Sequence, residues 1–268
     1  MPELPDVETF KRYFDSTALH QRINDVEVRN SRILSGISAR KLKTALRANS
    51  FRSTCRQGKY LFARTDGGVW LALHFGMTGH LKYFKNLEQD EPYTRLLITF
   101  DNRFHLAYVC QRLLGRVTLT RSVEQFIESK NLGPDALDID FDTLRNALAR
   151  SKASIKSTLM NQARLAGIGN LYADEILFQS GIHPMTRSKQ LDGANVEKIH
   201  HNVRKVLQMA IRRQADPRAL PQSYLLPHRG RDGECPRCGG IIRHMKISGR
   251  TAYFCQTCQQ ATPGRRRA

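Results

Sequence analysis

Residues 162–184 read QARLAGIGNLYADEILFQSGIHP, and this stretch decides how the rest of the chain is read. Its apolar residues favour helix, yet Gly167 and Gly169 break the pattern just before Asn170. Asn170 is placed to cap a following helix, LYADEILFQSG, and the glycines let backbone come close to a partner. A helix N-terminus behind a tight glycine turn is a phosphate-binding arrangement. The same spacing suits a plain helix–turn–helix corner, and spacing alone leaves both readings standing.

Helical texture extends around this stretch, from about Val123 to about Gln214. Its clearest part is NVEKIHHNVRKVLQMAI, with Val196, Ile199, Val203, Val206, Ala210 and Ile211 on one face. Upstream, from Ile23 to about Leu119, the texture is short strands: INDVEVRN, KYLFAR, VWLALHF, HLKYF, RLLITF, RFHLAYV and GRVTL. Turn signals at Thr65–Gly68 and Asp101–Arg103 break them, which predicts an antiparallel sandwich or barrel. Ahead of the strands, Val7, Phe10 and Phe14 predict a helix from Pro5 to about Ser16. Pro5 suits its first position, and Asp6 and Glu8 suit its positive end.

The chain carries 43 Lys and Arg against 24 Asp and Glu, a net charge of +19. Such an excess favours a polyanionic partner. A nucleic-acid binder, a membrane-surface binder and a ribosomal-type protein all fit it. The hydrophobic fraction of 40% and charged fraction of 25% are those of an ordinary globular protein. No apolar run approaches the roughly 20 residues that span a bilayer. The acidic N-terminus lacks the apolar core of a secretory signal, so a cytoplasmic location is the expectation.

Of the six cysteines, Cys55 and Cys110 stand alone. The others form two CxxC pairs, Cys235 with Cys238 and Cys255 with Cys258, which predict a tetrahedral zinc site. Four thiolates fill the coordination sphere, so one structural Zn2+ is expected rather than a catalytic one. The residues between the pairs, IIRHMKISGRTAYF, alternate well enough to be two strands around Ser248-Gly249. Arg237, Arg243, His244, Lys246 and Arg250 add to the case for nucleic acid. At the other end, the chain opens MPELPDVETF. Pro2 could help start the helix, or, once Met1 is removed, present a reactive secondary amine.

Four pieces in this order, MPELPDVET, QGKYLFAR with HFGMTGH, residues 162–184, and the finger ending GRTAYFCQTCQ, resemble the formamidopyrimidine-DNA glycosylase/endonuclease VIII family. The likeness runs from residue 2 to about 260, and MPELP is closer to the formamidopyrimidine branch. It implies a multidomain α+β fold. Residues 1–122 would form a catalytic β-sandwich and 123–225 a helix–two-turn–helix domain. Residues 226–262 would form a zinc-finger hairpin, with a basic tail over 263–268. The partner it implies is double-stranded DNA with damaged bases or abasic sites, bound between the domains by a monomer.

The resemblance also assigns residues. Pro2 matches the family's nucleophile, Glu3 its general acid/base, and Lys59 a lysine that contacts DNA and assists catalysis. Its amine chemistry is reasonable, because an α-amine has a pKa of about 8 and is partly neutral near pH 7. Asn170 and Arg250 match a phosphate-binding pair, with His74 and Lys156 as further phosphate contacts and Glu175 as an acid near the cleft. Met77 matches a residue that fills the gap left by a flipped nucleotide, and Arg112 one that meets the orphaned base.

The chain departs from the family in two places. Where D-x-R-R-F-G is usual it reads Cys110-Gln111-Arg112-Leu113-Leu114-Gly115, so Leu114 replaces an aromatic wedge and Cys110 an acid. The glycine-containing loop expected before the finger is reduced to QADPRALPQSYLLPHRG. These changes bear on the opposite base and on 8-oxoguanine. A non-catalytic damaged-DNA binder on the same scaffold is the alternative, against which Pro2, Glu3 and Lys59 stand together. A zinc-ribbon RNA-binding protein would explain the charge and cysteines but not the N-terminus.

Overall fold

The computed structural model describes residues 1–230 and 232–260, so the expected basic tail at 263–268 lies outside the described residues. The chain divides into two compact units, the first being Met1–Lys130 and the second beginning at Asn131.

In the first unit, helix α1 (Leu4–Thr17) leads into β1 (Ile23–Val28), α2 (Ala39–Leu46), β2 (Phe51–Gln57), β3 (Tyr60–Thr65) and β4 (Trp70–His74). Then follow β5 (His80–Phe84), β6 (Thr94–Phe100), β7 (His105–Val109), β8 (Arg116–Thr120) and α3 (Val123–Ser129). The strands form two four-stranded sheets, ordered β1-β6-β7-β5 and β2-β3-β4-β8, with antiparallel pairing throughout. Val26, Ile98 and Leu106 of one sheet share a core with Leu61, Leu71 and Val117 of the other. This is the expected sandwich. Val7 and Phe14 of α1 enter the same core, and the Phe14 ring lies 5.0 Å from that of Phe51.

Two elements were not expected. Strand β2, FRSTCRQ, buries only Phe51 fully and lies at a sheet edge, where polar residues are tolerated. Helix α2 is capped by Ser38, whose hydroxyl accepts from Lys41 N, and is anchored by Leu42 and Leu46 alone. Helix α3 also falls differently. The sequence texture placed it at the head of the helical region, but Phe126 packs edge-on against Phe62 at 5.2 Å, so α3 stays with the sheet.

The second unit contains α4 (Phe141–Ala149), α5 (Ile155–Leu159), α6 (Asn170–Ser180) and α7 (Gly193–Arg212), then the hairpin β9 (Ile242–Ile247) and β10 (Arg250–Cys255). Helix α6 is almost wholly buried and packs against α7 and β10. The hairpin turns at Ser248 and Gly249, both with positive φ (49° and 75°), the geometry that two-residue hairpin loops favour. Among the described residues no helix is long and apolar enough to cross a membrane.

Candidate functional site

In the first unit, Pro2 and Glu3 stand at the head of α1. The Glu3 backbone N–H donates to Asp6 Oδ2 at 2.9 Å, so Asp6 closes the helix start and fixes the chain just behind Pro2. Glu3 itself is 1% exposed. Burial, reinforced by the neighbouring Glu3 charge, raises the Asp6 carboxyl to about 6. Arg56, not singled out from sequence, links this helix to the next turn. Its Nε donates to Glu8 Oε2 at 3.1 Å and its guanidinium donates to the Gly58 carbonyl at 3.2 Å. Lys59 follows Gly58 directly and is 8% exposed.

His74 closes β4. Its Nδ1 accepts from Gly76 N at 3.3 Å, and burial, with the charges of Lys59 and Arg116, lowers its pKa to about 4. A neutral His74 therefore has its Nε2–H as the available donor. Met77 lies on the following loop and is 39% exposed, while Leu114, on the loop 110–115, is 44% exposed. The two loops touch backbone to backbone at Gly76, where a Cβ would lie 2.5 Å from Gly115 N. Cys110, in place of the expected acid, is fully buried, and its Sγ accepts from Gly115 N at 3.4 Å. The turn keeps an acceptor at that position and presents Arg112 and Leu114 outward.

In the second unit, the loop before α6 is held by Gln162. Its Oε1 accepts from Gly167 N at 3.0 Å and its amide donates to the carbonyls of Met160 and Ile168 at 2.8 Å. Gly167 takes φ +114°, outside the usual range of other residues. Asn170 is the first helical residue and not the cap, a role that falls to Gly169. This corrects the sequence reading: the asparagine Oδ1 caps nothing, and it is buried without a hydrogen-bond partner. Arg250 begins β10 and is exposed.

The four cysteine sulfurs lie within 4.8 Å of one another. Cys235 Sγ is 3.7 Å from Cys258 Sγ, and Cys238 Sγ is 3.5 Å from Cys255 Sγ. Zinc–sulfur bonds of about 2.3 Å in a tetrahedron separate the sulfurs by about 3.8 Å, so the cluster fits one structural Zn2+. Backbone N–H groups of Arg237 and Cys258 point at Cys235 Sγ and Cys255 Sγ, as thiolate ligands require.

Three family models match the chain in order. They are the formamidopyrimidine-DNA glycosylase N-terminal domain over residues 1–117, its H2TH domain over 132–219, and a zinc finger found in FPG and IleRS over 233–261. The formamidopyrimidine-DNA glycosylase of Heliobacterium modesticaldum is 34% identical, covering 97% of this chain and 100% of that relative. The chain belongs to the formamidopyrimidine-DNA glycosylase family. The enzyme of that name from Mycoplasma genitalium is 31% identical over 98% of this chain and 97% of its own. Among solved structures, the Lactococcus lactis protein bound to DNA containing N7-benzyl-Fapy-dG has a TM-score of 0.89 at 29% identity, covering 97% of this chain and all of that one. The same protein bound to abasic-site DNA has a TM-score of 0.88 at 30% identity, covering 96% of this chain and 99% of that one.

Family membership sharpens a disagreement over two of the expected DNA contacts. Lys156 is 0% exposed, and its Nζ donates to Asp174 Oδ1 at 2.6 Å and to the Thr251 carbonyl at 3.3 Å. Arg229 Nε and Tyr253 N both donate to Asp174 Oδ2 at 3.2 Å. Burial pushes the Asp174 carboxyl up, while Lys156 and Arg229 pull it back toward the charged form. Lys156 is therefore an internal tie between α5, α6 and β10, with its charge turned away from solvent. Glu175 is likewise fully enclosed, accepting from Leu225 N, Leu226 N and the Gln179 amide at 3.1, 2.8 and 2.7 Å. In this position the acid expected near the cleft pins the connector ahead of the finger.

Proposed function

We propose that the chain is a bifunctional DNA glycosylase and abasic-site lyase of base excision repair, with Pro2 as nucleophile after removal of Met1. The supporting observation is the head of α1, where Pro2 precedes a buried Glu3 and the Glu8–Arg56–Gly58 tie brings in the turn carrying Lys59. The neutral Pro2 amine attacks C1′ of the damaged nucleotide, the N–C1′ bond forms, and the bond to the base breaks as the base takes a proton. Opening of the C1′–O4′ bond leaves an iminium. Removal of a C2′ proton then expels the 3′ phosphate, and a second elimination expels the 5′ phosphate. Glu3 moves protons at the opened sugar.

Double-stranded DNA carrying damaged bases or abasic sites is the partner, bound by a monomer in the cytoplasm, at the nucleoid. Residues 1–122, with α3 packed against them, carry the chemistry, the rest of the stretch to 225 supplies the helix–two-turn–helix grip, and 226–262 form the finger. Neutral His74, Asn170 and Arg250 hold phosphates, Met77 and Leu114 fill the gap in the stack, and Arg112 meets the orphaned base. The connector before the finger supports a shallow lesion pocket, since Tyr224, Leu225 and Leu226 are buried in the unit's core. Ring-opened formamidopyrimidines, hydantoins or oxidised pyrimidines should then be cleaved faster than 8-oxoguanine. Equal turnover on 8-oxoguanine:cytosine and formamidopyrimidine duplexes would refute that preference.

Borohydride trapping on an abasic duplex tests the reaction itself. The chain should give a covalent adduct that Pro2→Gly does not, with intact mass confirming loss of Met1. No adduct from the unaltered chain sinks the lyase reading.

A further inference from the structure

The longest helix carries a feature that the DNA reaction does not use. The inner face of α7 buries Val196, Ile199, Val203, Val206, Leu207, Ala210 and Ile211 and packs against α6 and α4. At 100° per residue, His201, Arg204, Lys205, Gln208 and Arg212 fall on the opposite face, and all five are exposed. They line an open groove of about 450 Å³. Between Glu197 and Asp216 the sequence holds five Lys and Arg residues and no acid. Acids at i,i+4 spacing would pair with such cations and stabilise the helix. Here Arg204, Lys205 and Arg212 form no ion pair among the described residues.

We propose that this outer face of α7 is a second DNA-backbone site, one that holds an undamaged duplex while the lesion site is engaged with another. Every exposed side chain of the stripe can donate a hydrogen bond, and three are permanently charged. From residue 201 to 212 the helix rises about 16 Å, against one phosphate per ~3.4 Å along a strand, so the stripe spans four to five phosphates. A protein partner of stable affinity would want an apolar centre, and an anionic membrane would want apolar side chains to insert. Neither is present, because Met209, the one large apolar side chain at the groove, is half-buried. The stripe is turned away from α6, which carries Asn170. The face rests on the reading that the chain acts on DNA. Its consequence is transfer of the protein between neighbouring duplex segments without full release.

The test uses the full chain and two short duplexes with different fluorophores, one abasic and one undamaged, at about 50 mM salt. The unaltered chain should bring both together and give energy transfer. The triple variant Arg204→Gln, Lys205→Gln, Arg212→Gln should bind the undamaged duplex at least tenfold more weakly. Its slope of log affinity against log salt should fall by about 3, as three lost phosphate contacts require. Borohydride trapping on the abasic duplex should stay within twofold. A single duplex per chain throughout the titration, or an unchanged slope in the variant, overturns the proposal. Displacement by poly-glutamate at a lower charge concentration than by DNA also overturns it, in favour of an acidic protein partner. If trapping fails in both proteins while the second duplex binds as described, the enzymatic reading falls and this surface stands.

Discussion

The head of α1 and the middle of α6 both bury carboxylates, and they treat them in opposite ways. At α1, Asp6 shares its surroundings with a second acid, Glu3, and burial holds its carboxyl near 6, where a proton can come and go at neutral pH. At α6, burial also pushes the Asp174 carboxyl up, but Lys156 and Arg229 flank it and Tyr253 N donates to it, all pulling it back toward the charged form. A titratable buried acid suits proton transfer, whereas a neutralised one suits architecture. Under the proposed function the first unit carries the chemistry and the second the grip, and the substitutions below test that division.

Glu3→Gln should have the largest effect. It keeps the shape of the side chain and removes its proton chemistry, so single-turnover cleavage of a lesion duplex should fall about 10²- to 10⁴-fold. Affinity for an abasic duplex should stay within threefold. Loss of binding in step with loss of rate would break the division of labour.

Asp174→Ala should come next, and in the other direction. It leaves Lys156, fully enclosed, without its carboxylate, at a cost of about 3–5 kcal/mol in stability. Urea unfolding would read this. DNA affinity should fall as well, because Lys156 and Asp174 tie the strand that begins at Arg250 to the helix that begins at Asn170. Zinc content should be retained, since all four thiolates remain. An unchanged unfolding midpoint would show that the trio is not fixed by its charges.

Asp6→Asn tests the first region through pH. The Asp6 carboxyl is raised from 3.8 to about 6, so the fold holds its proton more tightly than the unfolded chain does. The stability this gives is fully present below pH 3.8 and is lost as pH rises through 6. Asparagine stays neutral and can still accept from Glu3 N. The variant should therefore gain on the parent between pH 4 and 7, by at most about 3 kcal/mol. A difference in urea midpoint that is flat over this window would show that Asp6 is not held in its raised state.

Much of this was legible in the sequence, and the illegible parts have physical reasons. Helix α1, seven of the eight sandwich strands, α7 and the finger hairpin announce themselves by periodicity and turn residues. Strand β2 and helix α2 do not, because one buries a single aromatic side chain fully and the other two leucines. Pro2 is singled out only by the family resemblance of MPELP, whereas the four cysteines are readable because their chemistry depends on local spacing. The Asp174 centre is not, since its partners come from residues 156, 229 and 253 and meet only in the fold. Nor does the sequence show that Lys156 and Glu175 are enclosed: a charge in a motif reads alike whether it faces solvent or a buried partner.

The smallest expected effect belongs to the exposed loops of the first unit, where the side chain at 114 lies in solvent. Leu114, the proposed wedge, is apolar and without a π-face, carried on a turn that Cys110 closes from within. Leu114→Phe leaves that turn intact, because the side chain points outward and Gly115 keeps its bond to the thiol. The added ring can stack on the bases flanking a flipped nucleotide, worth about 1 kcal/mol. Affinity for a duplex with an abasic analogue should rise about fivefold, with little change for undamaged duplex, where no gap exists to fill. Equal gains on both duplexes would mean that the ring adds general contact area, and that residue 114 does not enter the stack.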